Sequence, residues 1–245
     1  MDGPRIAAAG RRAGRPGNSP RHRRLPGEPG RCAGQVWTGF RASRKDGSTS
    51  AIDRAPHELW ITGDPEADHL LSTSGNALLV GMTLDQQVPM EKAFAGPYVI
   101  ATRMGGTFDV PAIAALEVDD FVAVCAEKPA VHRFPGSMGK RVHEVARRLV
   151  EEHDGDAVHL WSSVPDGATL KAAIGALPGF GDQKASIMVA LLGKRWGVRP
   201  DGWREAAGAY GNEGEFCSVA DVVDAESLQK VRAFKKQAKA AAKAG

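Results

Sequence analysis

The chain has 245 residues, 42% of them hydrophobic, so it can bury one substantial core or two small ones. Its net charge of +3 is unevenly distributed: residues 1–56 carry twelve Lys and Arg against four Asp and Glu, and the rest of the chain carries an excess of acidic side chains. This excludes a uniformly basic body, so a contact with nucleic acid has to be a local patch.

The spacing of the cysteines and the hydropathy of the chain indicate the cellular compartment in which the protein works. Cys32, Cys125 and Cys217 are far apart and form no C-x-x-C pair, which argues against a disulfide framework and a four-cysteine iron–sulfur cluster. No apolar run approaches the length of a membrane span, and the first residues lack the apolar centre of a secretion signal. We therefore expect a cytoplasmic protein.

Composition divides the chain into three parts. Residues 1–56 are rich in Arg, Gly, Pro and Ser, and too poor in large apolar residues to offset the entropy of ordering, so they are predicted to be a disordered basic arm. The arm either adds non-specific DNA affinity or is a dispensable tail, and we favour the tail. Residues 57–230 are predicted to be a helical domain, and residues 231–245 a Lys/Ala-rich helical tail.

Helical spacing of apolar residues, together with capping residues, predicts an all-α fold. In chain order, the predicted segments are Asp64–Leu71, Asn76–Gln86, Met90–Met104 with a break at Gly96–Pro97, Pro111 onward with Asp109 as its cap, Val118–Ala126, Ser137–Glu152, the pair within Ala168–Trp196, Trp203–Ala207, a capping box at Ser218–Asp221, and Glu226–Lys243. Tyr98 and Phe234 are expected to face the core.

Two basic clusters are interpreted as solvated. On the Ser137–Glu152 helix they are Lys140, Arg141, Arg147 and Arg148. At the C-terminus, Lys235, Lys236, Lys239 and Lys243 either touch DNA or belong to a frayed, solubilising end, and we favour the second interpretation.

The most informative stretch is the helical pair within Ala168–Asp201. Pro178-Gly179 ends its first helix, and Gly181 is predicted to take the positive φ that lets the chain reverse sharply. The second helix then begins with free backbone N–H groups aimed outward, which is a favourable site for a phosphate.

LPGFG followed by DQKA, residues 177–185, resembles the helix-hairpin-helix motif of the HhH-GPD superfamily of DNA glycosylases. The resemblance covers roughly residues 65–210. It implies two helical subdomains that flank a cleft, a monomer bound to double-stranded DNA near the nucleoid, and backbone contacts around the hairpin at Gly179, Phe180, Gly181, Gln183 and Lys184. No cofactor or metal is expected, with a monovalent cation at the hairpin left open.

The superfamily also places a catalytic aspartate about twenty residues after the second hairpin glycine, and here Asp201 lies twenty residues after Gly181. A carboxylate there would stabilise the oxocarbenium-like sugar and orient water. The alternative is that Asp201 is a turn or N-cap residue, with Glu205 as the nearest substitute.

Bifunctional members carry a lysine two residues after that glycine. Here this position is Gln183, and Lys184 points about 100° away around the helix, so we predict hydrolysis without β-lyase activity.

The resemblance also implies functional roles for two further regions of the chain. Gln86 or Gln87 would enter the gap left by a flipped base, the alternative being a solvated helix end stopped by Pro89. His132, Arg133 and Phe134, with Trp203, are candidates for lining the base pocket, although we favour a surface or capping role for His132. The competing functions are a non-catalytic DNA-binding module and a structural helical protein in which LPGFG is only a turn.

Overall fold

The computed structural model describes residues 58–244, so the predicted arm at residues 1–56 lies outside the described residues. The helices are α1 (Pro65–Thr73), α2 (Gly75–Leu84), α3 (Met90–Arg103), α4 (Val110–Ala115), α5 (Val118–Ala126), α6 (Pro135–His153), α7 (Ala157–Ser162), α8 (Gly167–Gly175), α9 (Asp182–Arg195), α10 (Trp203–Ala207) and α11 (Ala225–Ala244), with 3₁₀ turns at Gly208–Gly211 and Val219–Asp221. The all-α prediction is confirmed for this part of the chain, in which Asp166 and Asp201 form an isolated β-bridge and no strand occurs.

Helix α2 lies at the centre of the first group of helices. Every residue of α2 except Asn76 is buried, and the helix contacts α1, α3, α6 and α7. A close approach to α3 requires Gly81, because a Cβ at that position would lie 2.7 Å from the ring of Phe94. Ser74 caps the helix by accepting a hydrogen bond from the N–H of Ala77.

Helix α3 runs without interruption, so the predicted break at Gly96–Pro97 is wrong. Gly96 packs so tightly against α2 that an added Cβ would lie 2.4 Å from Leu84 Cδ1, and Phe94 and Ile100 are fully buried on either side. This burial outweighs the one backbone hydrogen bond that Pro97 cannot donate. Tyr98 is only half-buried, because its hydroxyl reaches the carboxylate of Glu66.

Helices α4, α5 and α6 pack together beside α2. The predicted core residues of α6 are confirmed: Val142, Val145, Ala146 and Leu149 are all fully buried. The short helix α7, which the sequence did not predict, follows α6 and buries Leu160 and Trp161.

Helices α8 and α9 form the predicted antiparallel pair, and α10 packs on both of them. Helix α11 is docked through Leu228 and Val231. Beyond Val231 every described side chain is exposed, including Phe234 at 44%, so the predicted docking of Phe234 is wrong. Helix α11 passes without interruption through residue 231, where the tail was predicted to begin.

Within the described range, no helix is long and apolar enough to cross a membrane.

Candidate nucleic-acid interface

The bend between α8 and α9 differs from the prediction in which glycine makes the turn. Gly179 has the positive φ of +80°, whereas Gly181 is extended, with φ −112° and ψ 179°. The reversal is already complete at Gly179, because the N–H of Phe180 donates to the carbonyl of Leu177 at 3.1 Å. Gly181 therefore serves as the N-cap of α9, and the prediction of a positive φ there is wrong.

Gly181 faces open space. Within residues 58–244, no atom lies within 4 Å of a Cβ built on it, and no side chain caps α9. The first N–H groups of α9 thus have no side-chain acceptor at this end, which suits an anion. Asp182 is the acidic group nearest to this position along the chain, and its carboxylate pairs with Lys171 at 2.6 Å. The ring of Phe180 is 8% exposed and anchors the bend in the core, which leaves its backbone for the expected DNA contact.

The loop that follows α2, here called the Gln loop (Asp85–Val88), is held by a buried histidine. His132 is 2% exposed, and its Nδ1 accepts from the N–H of Phe134 at 3.0 Å. Its Nε2 therefore carries the proton and donates to the carbonyl of Gln86 at 2.8 Å. His132 has a capping role, as favoured from the sequence, but it is buried and does not lie on the surface.

Arg141 joins the Gln loop to the bend. Its Nη1 donates to Gln86 Oε1 at 2.6 Å, and a Cβ on Gly179 would lie 2.3 Å from its Cδ. Arg148 makes a second contact with the bend by donating to the carbonyl of Ala176 at 2.9 Å. The expectation that both arginines are simply solvated is wrong, because α6 runs alongside the bend and these side chains reach across to it.

Lys184 connects the bend to the end of α2. Its Nζ donates to the carbonyl of Thr83 at 3.1 Å and lies 5.4 Å from the centre of the Phe180 ring. Burial lowers the pKa of Lys184 to about 8; the nearby carboxylate of Asp85 opposes this shift and Arg141 adds to it. The amine is thus directed at the protein interior, while Gln183 is exposed and donates to the hydroxyl of Tyr210 at 2.8 Å.

These contacts bring together segments that are distant in the sequence. The Gln loop, the start of α6 and the bend (residues 176–184) meet around Arg141 and Lys184. Gln86, Gln87, Gly179 and Gly181 are all exposed there. We refer to this region as the bend face.

Asp201 lies away from the bend face. Its carbonyl accepts from the N–H of Gly167 at 2.7 Å, at the N-terminus of α8, whereas the bend follows the C-terminus of that helix. A nine-residue helix is about 13 Å long, which sets the separation between Asp201 and the bend. The side chain of Asp201 is exposed. Glu205 instead lines a groove of about 560 Å³ between α8, α9 and α10, together with Lys171 and Asp182.

The remaining pocket candidates fall into two environments. Arg133 and Phe134 are exposed, and the Arg133 Cζ lies 5.3 Å from the centre of the Phe134 ring. Trp203 is buried against α9, where a Cβ on Gly193 would lie 2.3 Å from its ring, and the Arg204 Cζ lies 4.5 Å from the centre of that ring. The expected pocket role of Trp203 is therefore wrong, because its indole is part of the core.

No group of His, Cys, Asp or Glu within residues 58–244 has the arrangement of a metal site. Comparisons with protein-family models, with curated proteins and with solved structures gave no match to this chain.

Proposed function

We propose that this protein binds double-stranded DNA through the bend face and acts as a monofunctional DNA glycosylase on a flipped damaged or mispaired base. The observation that carries the proposal is the meeting of the Gln loop and the bend around Arg141. The resemblance to HhH-GPD glycosylases implies DNA contact at both elements. Because they are far apart in the sequence, chain proximity alone does not bring them together.

The bend supplies a site for the sugar-phosphate backbone. The N-terminus of α9 offers N–H donors and the positive end of a helix dipole, and Gly181 leaves room for a phosphate to approach the backbone. Arg141 packs against Gly179 and Lys184 belongs to the first turn of α9, so both side chains add positive charge near this site. Such contacts position a duplex without selecting its sequence.

The Gln loop supplies the group that enters the duplex. Gln87 is exposed and has a φ of +57°, a conformation that costs a non-glycine residue about 1–3 kcal/mol and is common at functional sites. His132 and Arg141 fix the neighbouring Gln86 through its carbonyl and its side chain. A loop held in this way can occupy the space of an extruded base, since extrusion itself costs only a few kcal/mol.

Hydrolysis requires a carboxylate near the sugar, and we assign Asp201 to this role. The substrate strand then has to follow α8 from the bend to its N-terminus, a distance of about 13 Å. A β-lyase step is not part of the proposal, because Gln183 occupies the position of the amine nucleophile and Lys184 is held at Thr83.

The position of Asp201 also favours a second candidate function, which is binding of DNA without excision. In that case the bend face is complete, and Asp201 is only a residue of the turn before α10, bridged to the N-terminus of α8.

Base release from duplexes that carry uracil, an alkylated purine, oxidised guanine or mispaired adenine separates the two candidates. We expect release by the wild type, a loss of about 100-fold or more in Asp201→Asn with unchanged affinity, and normal release by the matched control Glu205→Gln. Full release by Asp201→Asn would remove that residue from the mechanism. Tight binding with no release from any duplex would support the second candidate, and absence of salt-dependent binding would overturn both.

A further inference from the structure

Helix α11 carries a row of cations along one side. Arg232 is followed at three and four residues by Lys235 and Lys236, and these are followed by Lys239 at four and three, which places all four on one face of the helix. Leu228 lies one turn before Arg232 on this same face and is buried in the core, and Val231 is buried on the adjoining face. Residues 227–245 contain six Lys and Arg and no Asp or Glu, so nothing within this segment balances the row.

The row begins beside the Gln loop. Arg232 pairs with Glu91, and Lys235 Nζ lies 3.8 Å from a carboxylate oxygen of Asp85. Asp85 and Glu91 lie on either side of Gln86 and Gln87 in the chain. The two ion pairs therefore fix the start of the row at the edge of the bend face.

Beyond these two pairs, the part of the chain that the structure describes offers the row no acidic partner. Lys236 and Lys239 are exposed and form no salt bridge with the described part of the chain. Like charges at i and i+4, such as Arg232 with Lys236 and Lys235 with Lys239, destabilise an isolated helix. The dipole of α11 favours cations only in its last turn, and both lysines lie before that turn. The row is thus suited to an external polyanion.

We propose that this row is a second DNA-backbone contact, in which Lys236 and Lys239 bind phosphates of the duplex next to the Gln loop. The proposal rests on the proposed function, since it takes duplex DNA as the partner. From Lys235 to the end of α11 the helix extends about 15 Å, which matches about four phosphates along one strand.

The test is the salt dependence of binding to a short duplex, measured by fluorescence anisotropy on the full chain. Each lost phosphate contact reduces the slope of log K against log salt by about 0.9, so the double variant Lys236→Gln/Lys239→Gln should lose about 1.8. Gln has nearly the helix propensity of Lys, which keeps α11 intact. Lys230→Gln is the matched control, because Lys230 lies on the other side of α11 and pairs with Glu226 at 2.8 Å.

The control should bind with the wild-type slope, and Lys236→Arg/Lys239→Arg should retain it. An unchanged slope in the double Gln variant would overturn this inference while leaving the proposed function in place. A loss of about 0.9 in Lys230→Gln, half that of the double variant, would also overturn it, since the effect would then be one of total charge. A wild type without salt-dependent binding would overturn the proposed function itself.

Discussion

The two glycines of the bend have different roles. Alanine at Gly179 should lower the stability of the fold, and alanine at Gly181 should lower only the affinity for DNA. At Gly179, alanine would have to keep a φ of +80° and would place a methyl group 2.3 Å from Arg141 Cδ. The left-handed backbone costs about 1–2 kcal/mol, and moving Arg141 off Gln86 costs about 1 kcal/mol. Alanine also restricts the unfolded chain, which returns up to about 1 kcal/mol, so we expect a net loss of about 2 kcal/mol.

Gly181→Ala meets neither obstacle, because the backbone is extended and no atom lies within 4 Å. Alanine is a poorer N-cap than glycine, and the reduced freedom of the unfolded chain offsets most of this cost, so stability should change by less than about 0.5 kcal/mol. A methyl group there would, however, hold a phosphate away from the N–H groups of α9. The loss of one charge-assisted hydrogen bond corresponds to an affinity about tenfold lower.

Thermal unfolding followed by circular dichroism, paired with duplex binding, measures both effects. A loss of about 2 kcal/mol lowers the Tm of a domain of this size by about 4–8 °C, which should be seen for Gly179→Ala alone. Equal destabilisation by the two variants would refute the assignment of the turn to Gly179. Wild-type affinity in Gly181→Ala would refute the close approach of a phosphate at the bend.

Two further predictions follow from buried ionisable groups. Because the pKa of Lys184 is about 8 in the folded protein against its ordinary 10.5, the unfolded chain binds an additional proton between these values. Stability in urea should therefore rise from pH 8 to about 10, by at most about 1.4 kcal/mol per pH unit, and Lys184→Met should remove this rise; an unchanged rise would assign it to other groups. Burial raises the pKa of Cys125 to about 12, so at pH 8 iodoacetamide should modify this thiol only after denaturant is added. Rapid labelling in the native protein, read by mass spectrometry of the peptide, would contradict its burial in α5.

The helices that could be predicted are those with strong local signals. α5 begins and ends where its apolar pattern does, and in α6 the spacing of Val142, Val145, Ala146 and Leu149 identified the buried face. Asp64, Asp109 and Ser218 are caps because a short polar side chain precedes each helical segment. In such segments the local preference and the final packing agree.

The predictions that were wrong concern residues whose roles depend on contacts between different segments of the chain. Nothing on α6 indicates that Arg141, rather than Arg147, will meet the bend, since that depends on how α6 packs. The role of Trp203 depends on the absence of a side chain at Gly193, which lies ten residues earlier in the sequence. Either glycine of LPGFG can adopt a positive φ, and the structure gives it to Gly179, which packs against Arg141.

The central position of α2 has a mechanical consequence for the Gln loop. The loop follows a helix that is packed on every side. Lys184 holds the end of that helix at the carbonyl of Thr83, and His132 holds the loop itself at the carbonyl of Gln86. A loop anchored at these two points should keep its shape when it contacts stacked bases. In the proposed complex the distortion would fall on the nucleic acid, so duplexes whose stacking is already weakened by a lesion or mismatch should be the ones that deform around it.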